Sequence, residues 1–346
     1  MSKTLILHSG ALGDTILMLR VVRFLRDARG VSVHVVGRGE YGALIRAADA
    51  VSGFWSIETG GFHRLFGDSA EMPGEMRHFF GQFDVIVNML SGTAGPLDFP
   101  THANAAIVQI DSRPRPEFSG HITDQWLQDI CRQVQELGVR RDLAFTDSAA
   151  PETMRACPRI DLDDQTRAKA RAWLDGLFDK SECAAGTHPT EIDARAASAI
   201  GAMRIALLHP GSGSRSKCWP LVRVVALFNR MKIAGWKCAF LVGPVERERF
   251  SSQDMALLRA TGPMIDRDDL LEVAGLLRAC DCVVANDSGI AHLTAAVGGR
   301  VVAIFGPTNA SLWRPLGSHV RVVRGETGLP SVQEVAEAMW EAEIRI

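Results

Sequence analysis

The feature that most constrains this chain is a rhythm in which short apolar runs alternate with longer segments of helical period. The rhythm occurs twice. Residues 4–8 make the first apolar run, 15–29 read as a helix ended by Gly30, and 31–37 read as a second strand. Within that helix Ile16, Leu17, Leu19, Val22, Phe24 and Leu25 supply the apolar positions, and Arg20, Arg23, Arg26 and Asp27 the polar ones. Strands at 84–90 and 105–110 and a helix at 123–137, closed by Gly138, extend the series. Between 145 and 203 the pattern fades to a short strand at 158–162 and a helix at 164–178. It resumes at 204, with strands at 205–208, 236–242, 281–285 and 301–305 and helices at 221–234, 246–260, 269–279 and 289–297. A final amphipathic helix over 331–340 presents Val332, Val335, Ala336, Met339 and Trp340.

Apolar strands alternating with helices specify parallel sheets covered on both faces. At 346 residues the chain exceeds what one core serves, since single cores stop growing near roughly 250–300 residues. The expected organisation is therefore an α/β chain of two doubly wound domains. Residues 1–180 form the first, 181–203 a linker, 204–330 the second, and 331–346 a helix crossing back to the first.

Composition removes other classes. A formal net charge of −2 lacks the positive excess used to bind phosphate backbones, so nucleic acid is not an expected partner. The seven cysteines (Cys131, Cys157, Cys183, Cys218, Cys238, Cys280 and Cys282) are odd in number and not in metal-binding spacing, so they read as reduced thiols. No signal peptide precedes the first strand and no stretch of about 20 apolar residues offers a bilayer span. A cytoplasmic protein is expected.

Ligands of open parallel sheets bind beyond the carboxyl ends of the strands, which directs attention to the loops there. The first loop, Ser9-Gly10-Ala11-Leu12-Gly13-Asp14, places a carboxylate at a helix start. Asp14 is either a chemical group or an ordinary helix-terminal aspartate. With only Gly10 and Gly13, this is not the dinucleotide fingerprint. The second loop runs from His209-Pro210-Gly211-Ser212 through Lys217 to Trp219-Pro220, where small residues and cations suit a diphosphate cradle or, more plainly, a solvated loop. The third, Asn286-Asp287-Ser288-Gly289-Ile290-Ala291-His292, sets Ser288 as N-cap of a helix whose terminal N–H groups favour phosphate. Asp287 beside a phosphate then requires a separate role toward sugar hydroxyls. Glu246, after Gly243-Pro244-Val245, is either a ribose or sugar contact or a helix-terminal glutamate.

Taken together, Gly13-Asp14, His209-Pro210-Gly211-Ser212 with Lys217-x-Trp219-Pro220, Asp287-Ser288-Gly289-x-x-His292 and Phe305-Gly306-Pro307-Thr308 resemble the family 9 glycosyltransferases, the bacterial heptosyltransferase family. The resemblance implies a GT-B fold of two Rossmann-like domains facing a central cleft, with acceptor bound by the first and nucleotide sugar by the second. It implies inverting transfer of heptose from ADP-heptose to a hydroxyl of the lipopolysaccharide inner core or a similar glycan. Asp14 becomes the acceptor base with Gly13 beside it. Lys217 contacts the diphosphate, and Gly211, Ser212, Ser288, Gly289 and His292 join Glu246 and Asp287 in the donor set. No cofactor and no metal are implied, because the Asp266-Arg267-Asp268 string precedes a helix away from the phosphate loops.

A sugar-nucleotide epimerase and a non-catalytic sugar-nucleotide binder are the competing readings. Phe62, Leu65, Phe66, Met76, Phe79, Phe80 and Phe83, interleaved with His63, Arg64, Arg77 and His78, read either as core or as a face toward a lipid-linked acceptor at the inner membrane.

Overall fold

The computed structural model describes residues 2–62, 74–90, 105–138, 157–182, 204–326 and 328–341. The chain divides into two compact units, residues 1–161 with 311–313, and residues 162–310 with 314–346.

In the first unit, β1 (Lys3–Leu7), α1 (Leu12–Arg29), β2 (Ser32–Gly37), α2 (Gly42–Ala47), β3 (Gly53–Ser56), α3 (Gly74–Phe80), β4 (Val85–Asn88), β5 (Ala106–Gln109) and α4 (Ile122–Glu136) follow one another. The strands pair in parallel in the order β3-β2-β1-β4-β5. Leu5, Leu7, Val36 and Ile86 pack with Phe62, Met76, Phe80 and Phe83 in one core cluster. Gly30 closes α1 in the left-handed conformation, as its position suggests. Arg20, expected on the polar face of α1, is 6% exposed and pairs with Asp124 of α4 at 2.7 Å.

The second unit contains α5 (Asp164–Glu182), β6 (Ile205–His209), α6 (Leu221–Ile233), β7 (Lys237–Val242), α7 (Pro244–Arg249), α8 (Ser252–Thr261), β8 (Met264–Asp266), α9 (Leu270–Ala279), β9 (Cys282–Asn286), α10 (Gly289–Ala296), β10 (Val301–Phe305), β11 (Val320–Arg324) and α11 (Val332–Glu341). Its parallel sheet has the order β11-β10-β9-β6-β7-β8. Each sheet thus reverses its winding beside its first strand, at the β1/β4 pair in one unit and the β6/β9 pair in the other. Loops leaving the two strands of such a pair diverge to opposite faces and open a crevice at their carboxyl ends.

Several local outcomes differ from the sequence expectations. Residues 164–180, assigned there to the first domain, lie in α5, which packs on α9 in the second unit. Helix α11, expected to cross back, inserts Val335, Ala336, Ala338 and Met339 into the core of the second unit. The single helix expected over 246–260 is two, because Ser251 starts α8 with a capping box, accepting from the Asp254 N–H while Asp254 accepts from the Ser251 N–H. Residues 158–162 do not form a strand. Strands β3, β8 and β11 all lie at sheet edges, where partial exposure removes the apolar run that marks a central strand.

Candidate active site

The carboxyl end of β6 leads into the loop 210–220, and the carboxyl end of its neighbour β9 leads into the start of α10. Asn286, the last residue of β9 and 2% exposed, joins the two. Its Nδ2 donates to the Pro210 carbonyl at 2.7 Å and the Gly211 carbonyl at 3.2 Å, while its Oδ1 accepts from the Trp219 N–H at 2.9 Å. Trp219 is buried, and its indole N–H donates to the Pro330 carbonyl at 2.7 Å, fixing the exit of the loop. Arg249 on α7 adds its guanidinium to the carbonyls of Ser212 and Gly213.

Lys217 lies on a 3-10 turn, Arg215–Lys217, and its ammonium meets Asp287 Oδ2 at 2.8 Å. Ser212 donates its hydroxyl to the Asp287 carbonyl at 2.6 Å, so this side chain holds the phosphate-like loop against the 286–288 segment. Asp287 is 6% exposed, whereas Lys217 keeps about a third of its side chain open. A cation so placed neutralises a buried carboxylate and remains within reach of an incoming anion. Ser288 occupies the N-cap position of α10 without a side-chain capping bond, and its buried Oγ makes no hydrogen bond among the described residues. Gly289 begins α10 and His292 lies buried one turn in. The helix start carries about half a positive charge.

Glu246 is 1% exposed in the first turn of α7, where Oε2 accepts from the Gly243 N–H at 2.8 Å. Its Oε1 stands 3.6 Å from His209 Nε2, too far for a hydrogen bond, and has no hydrogen-bond partner among the described residues. His209 Nδ1 lies 3.1 Å from the Leu241 carbonyl, so that nitrogen carries the proton. The carboxylate also explains Gly211, because a Cβ there would stand 1.6 Å from Glu246 Oε1. The loop backbone thus lies directly on the buried carboxylate.

The model of glycosyltransferase family 9 (heptosyltransferase) matches residues 158–339, more than half of the chain. The chain belongs to this family. It is similar to lipopolysaccharide heptosyltransferase 2 of Escherichia coli K12, 39% identical over 124 residues, which are 34% of this chain and 35% of that protein. The match therefore spans about a third of the length of that curated relative. Among solved structures, a family 9 glycosyltransferase from Veillonella parvula superposes with a TM-score of 0.69 at 16% identity, covering 100% of this chain and 98% of that one. The Escherichia coli ADP-heptose lipopolysaccharide heptosyltransferase II superposes with a TM-score of 0.65 at 15% identity, covering 100% and 99%. These likenesses show the GT-B type of fold, two Rossmann-like α/β units.

The family motifs of the second unit converge at one place. Gly211, Ser212, Lys217, Glu246, Asp287, Ser288, Gly289 and His292 all sit on the loops that leave β6, β7 and β9. Sequence reasoning passes over Arg249, while Asn286 and His209 enter it only as the first residues of their loops. Asp266 and Asp268 both engage Arg247, consistent with their exclusion from the phosphate loops.

In the first unit, Gly13 and Asp14 stand in the opening turn of α1, after the carboxyl end of β1. A Cβ on Gly10 would lie 2.8 Å from both Asp14 Cβ and His8 Cε1, so the histidine ring and the aspartate share this tight turn. Sequence reasoning passed over His8 as the end of a strand. Burial pushes its imidazole down from the ordinary value of 6.5 to about 4. The folded ring therefore stays neutral where the unfolded one takes up a proton, and acidification from pH 6.5 toward 4 withdraws stability. By pH 5 this amounts to about 2 kcal/mol. Urea unfolding at pH 7 and pH 5 should show a smaller acid loss in His8→Gln than in the unaltered chain; equal losses would remove His8 from the account.

Phe62, Met76, Phe80 and Phe83 belong to the core rather than to a lipid-facing surface, while Leu65, Phe66, His63 and Arg64 lie outside the described residues. Of the cysteines, Cys183 lies outside them and the others are free thiols, with Cys238, Cys280 and Cys282 buried.

Proposed function

We propose that this chain is an inverting glycosyltransferase that moves heptose from ADP-heptose onto a hydroxyl of the lipopolysaccharide inner core or a related glycan. The observation that carries this reading is the Lys217–Asp287 pair, held by the 210–220 loop at the switch point of the second sheet and beside the start of α10. The family to which the chain belongs and the name of the Escherichia coli K12 relative support heptose and lipopolysaccharide as substrate classes. The name of heptosyltransferase II supports ADP-heptose as donor.

In this reading the donor's diphosphate meets Lys217 and the N–H groups at the start of α10. Asp287 and Glu246 accept hydrogen bonds from sugar and ribose hydroxyls, and Ser288 contributes its hydroxyl. The buried Oγ of Ser288 and Oε1 of Glu246, which make no hydrogen bond among the described residues, suit groups that complete their bonding on a ligand. Asp14 takes the proton of the acceptor hydroxyl as that oxygen attacks the anomeric carbon. ADP departs from the opposite face, so one displacement inverts the centre. Glycan acceptance is assigned to the first unit and donor binding to the second, with the acceptor presented at the cytoplasmic face of the inner membrane. Among the described residues no helix is long and apolar enough to cross a membrane.

Mass spectrometry of the acceptor tests the reading. A heptose-less core oligosaccharide should gain one heptosyl residue only when ADP-heptose and the chain are both present. Sugar-nucleotide isomerisation in the absence of acceptor would instead indicate an epimerase. The charge of the departing diphosphate is assigned to Lys217 and α10, so transfer should proceed undiminished in excess chelator. Loss of transfer under chelator, restored by a divalent cation, would contradict that assignment.

A further inference from the structure

We propose that Asn286 is the positioning residue of the donor-phosphate loop, tying its two ends so that Lys217 stands where a diphosphate can use it. The inference rests on the reading that this loop holds the donor's diphosphate. One carboxamide supplies two N–H donors to the carbonyls of Pro210 and Gly211 and one acceptor to the Trp219 N–H. It therefore closes a ring across the loop, entry to exit, from a strand terminus whose neighbour Ile304 on β10 holds it in register. Between these anchors the 3-10 turn is tied to itself, through Lys217 N–H to the Ser214 carbonyl at 3.1 Å and Cys218 N–H to the Arg215 carbonyl at 3.1 Å, and to α7 through the Arg215 guanidinium, which donates to the Arg249 carbonyl at 2.9 Å.

The next residue completes the arrangement, since Asp287 accepts the Ser212 hydroxyl on its carbonyl and pairs with Lys217 through its carboxylate. Few side chains can replace Asn286. Aspartate keeps the acceptor but loses both donors, serine offers one donor on a shorter arm, and glutamine is a methylene too long. Transition-state charge is stabilised by groups held in place beforehand, so a loop that loses these three hydrogen bonds loses effect on the diphosphate even with Lys217 intact.

Titration calorimetry with ADP, UDP and GDP on the unaltered full chain, Lys217→Ala, Asn286→Asp and Asn286→Ala, with thermal unfolding of each, tests the proposal. Asn286→Asp should fold and bind ADP about tenfold or more weakly, because two buried carbonyls lose their donors. Its binding should recover relative to the unaltered chain as pH is lowered from 8 to 5.5, since protonation of the introduced carboxyl restores an O–H donor toward those carbonyls. Unchanged ADP affinity in Asn286→Asp, with affinity lost in Lys217→Ala, would overturn the positioning role while leaving the donor site standing. Failure of both Asn286 variants to fold would make the residue a core element and also overturn the proposal. An unaltered chain that binds none of the three nucleotides would overturn the donor-loop reading itself, and the proposal with it.

Discussion

Lys217→Ala is expected to weaken ADP binding and to reduce transfer by two orders of magnitude or more. Two effects act in the same direction. The leaving diphosphate loses its nearest cation, and removing one preorganised group of this kind typically raises the barrier by roughly 3 kcal/mol. Asp287, 6% exposed, also loses the ammonium 2.8 Å away and becomes a buried carboxylate facing the anionic donor. Its repulsion extends the damage from the transition state to the ground state, so the ADP dissociation constant and kcat should both move. Lys217→Arg should retain charge but misplace it, because a planar guanidinium does not reproduce a point charge on a flexible stem. Calorimetry and initial rates check this; a Lys217→Ala chain with unaltered ADP affinity and rate would remove the cation from the donor site.

Asp14→Ala is expected to behave differently, lowering kcat by about a hundredfold to ten-thousandfold, the usual worth of a positioned general base. ADP binding should be preserved, because the donor groups all belong to the second unit. Asp14 also sits in the first turn of α1, where a carboxylate favours the helix dipole; its removal there accounts for only about 0.3–1 kcal/mol of stability. A variant that folds and binds ADP normally but fails to transfer separates base chemistry from helix capping. Unchanged turnover would return Asp14 to the role of a helix-terminal aspartate.

The legibility of this molecule from sequence follows burial. Central strands such as β1, β6, β9 and β10 are apolar along most of their length because helices cover both faces, and each announces itself. The edge strands β3 and β8 are short and β11 interleaves arginines, so their formation depends on a neighbour that sequence does not display. The residues proposed to hold the donor stand out in sequence because glycine, serine and lysine after a strand have few other uses together. What sequence left out is their mutual commitment. Asp287 and Lys217 read as separate sugar and phosphate ligands, yet they are ion-paired, and Ser212 spends its hydroxyl proton on the Asp287 carbonyl. Glu246, which reads as a ribose or sugar contact or a helix-terminal glutamate, lies in the first turn of α7 and is buried against Gly211. Asn286 stands at the head of the third loop in sequence, but no local pattern encodes its three long-range hydrogen bonds.

The measurement that bears most directly on the central claim is the initial rate of nucleoside diphosphate release from ADP-heptose, UDP-sugars and GDP-sugars, each with and without a heptose-less lipopolysaccharide core. The account predicts release of ADP from ADP-heptose that depends on the acceptor and collapses in Lys217→Ala and Asp14→Ala. Acceptor-independent release, or release from a different nucleotide sugar alone, would contradict it.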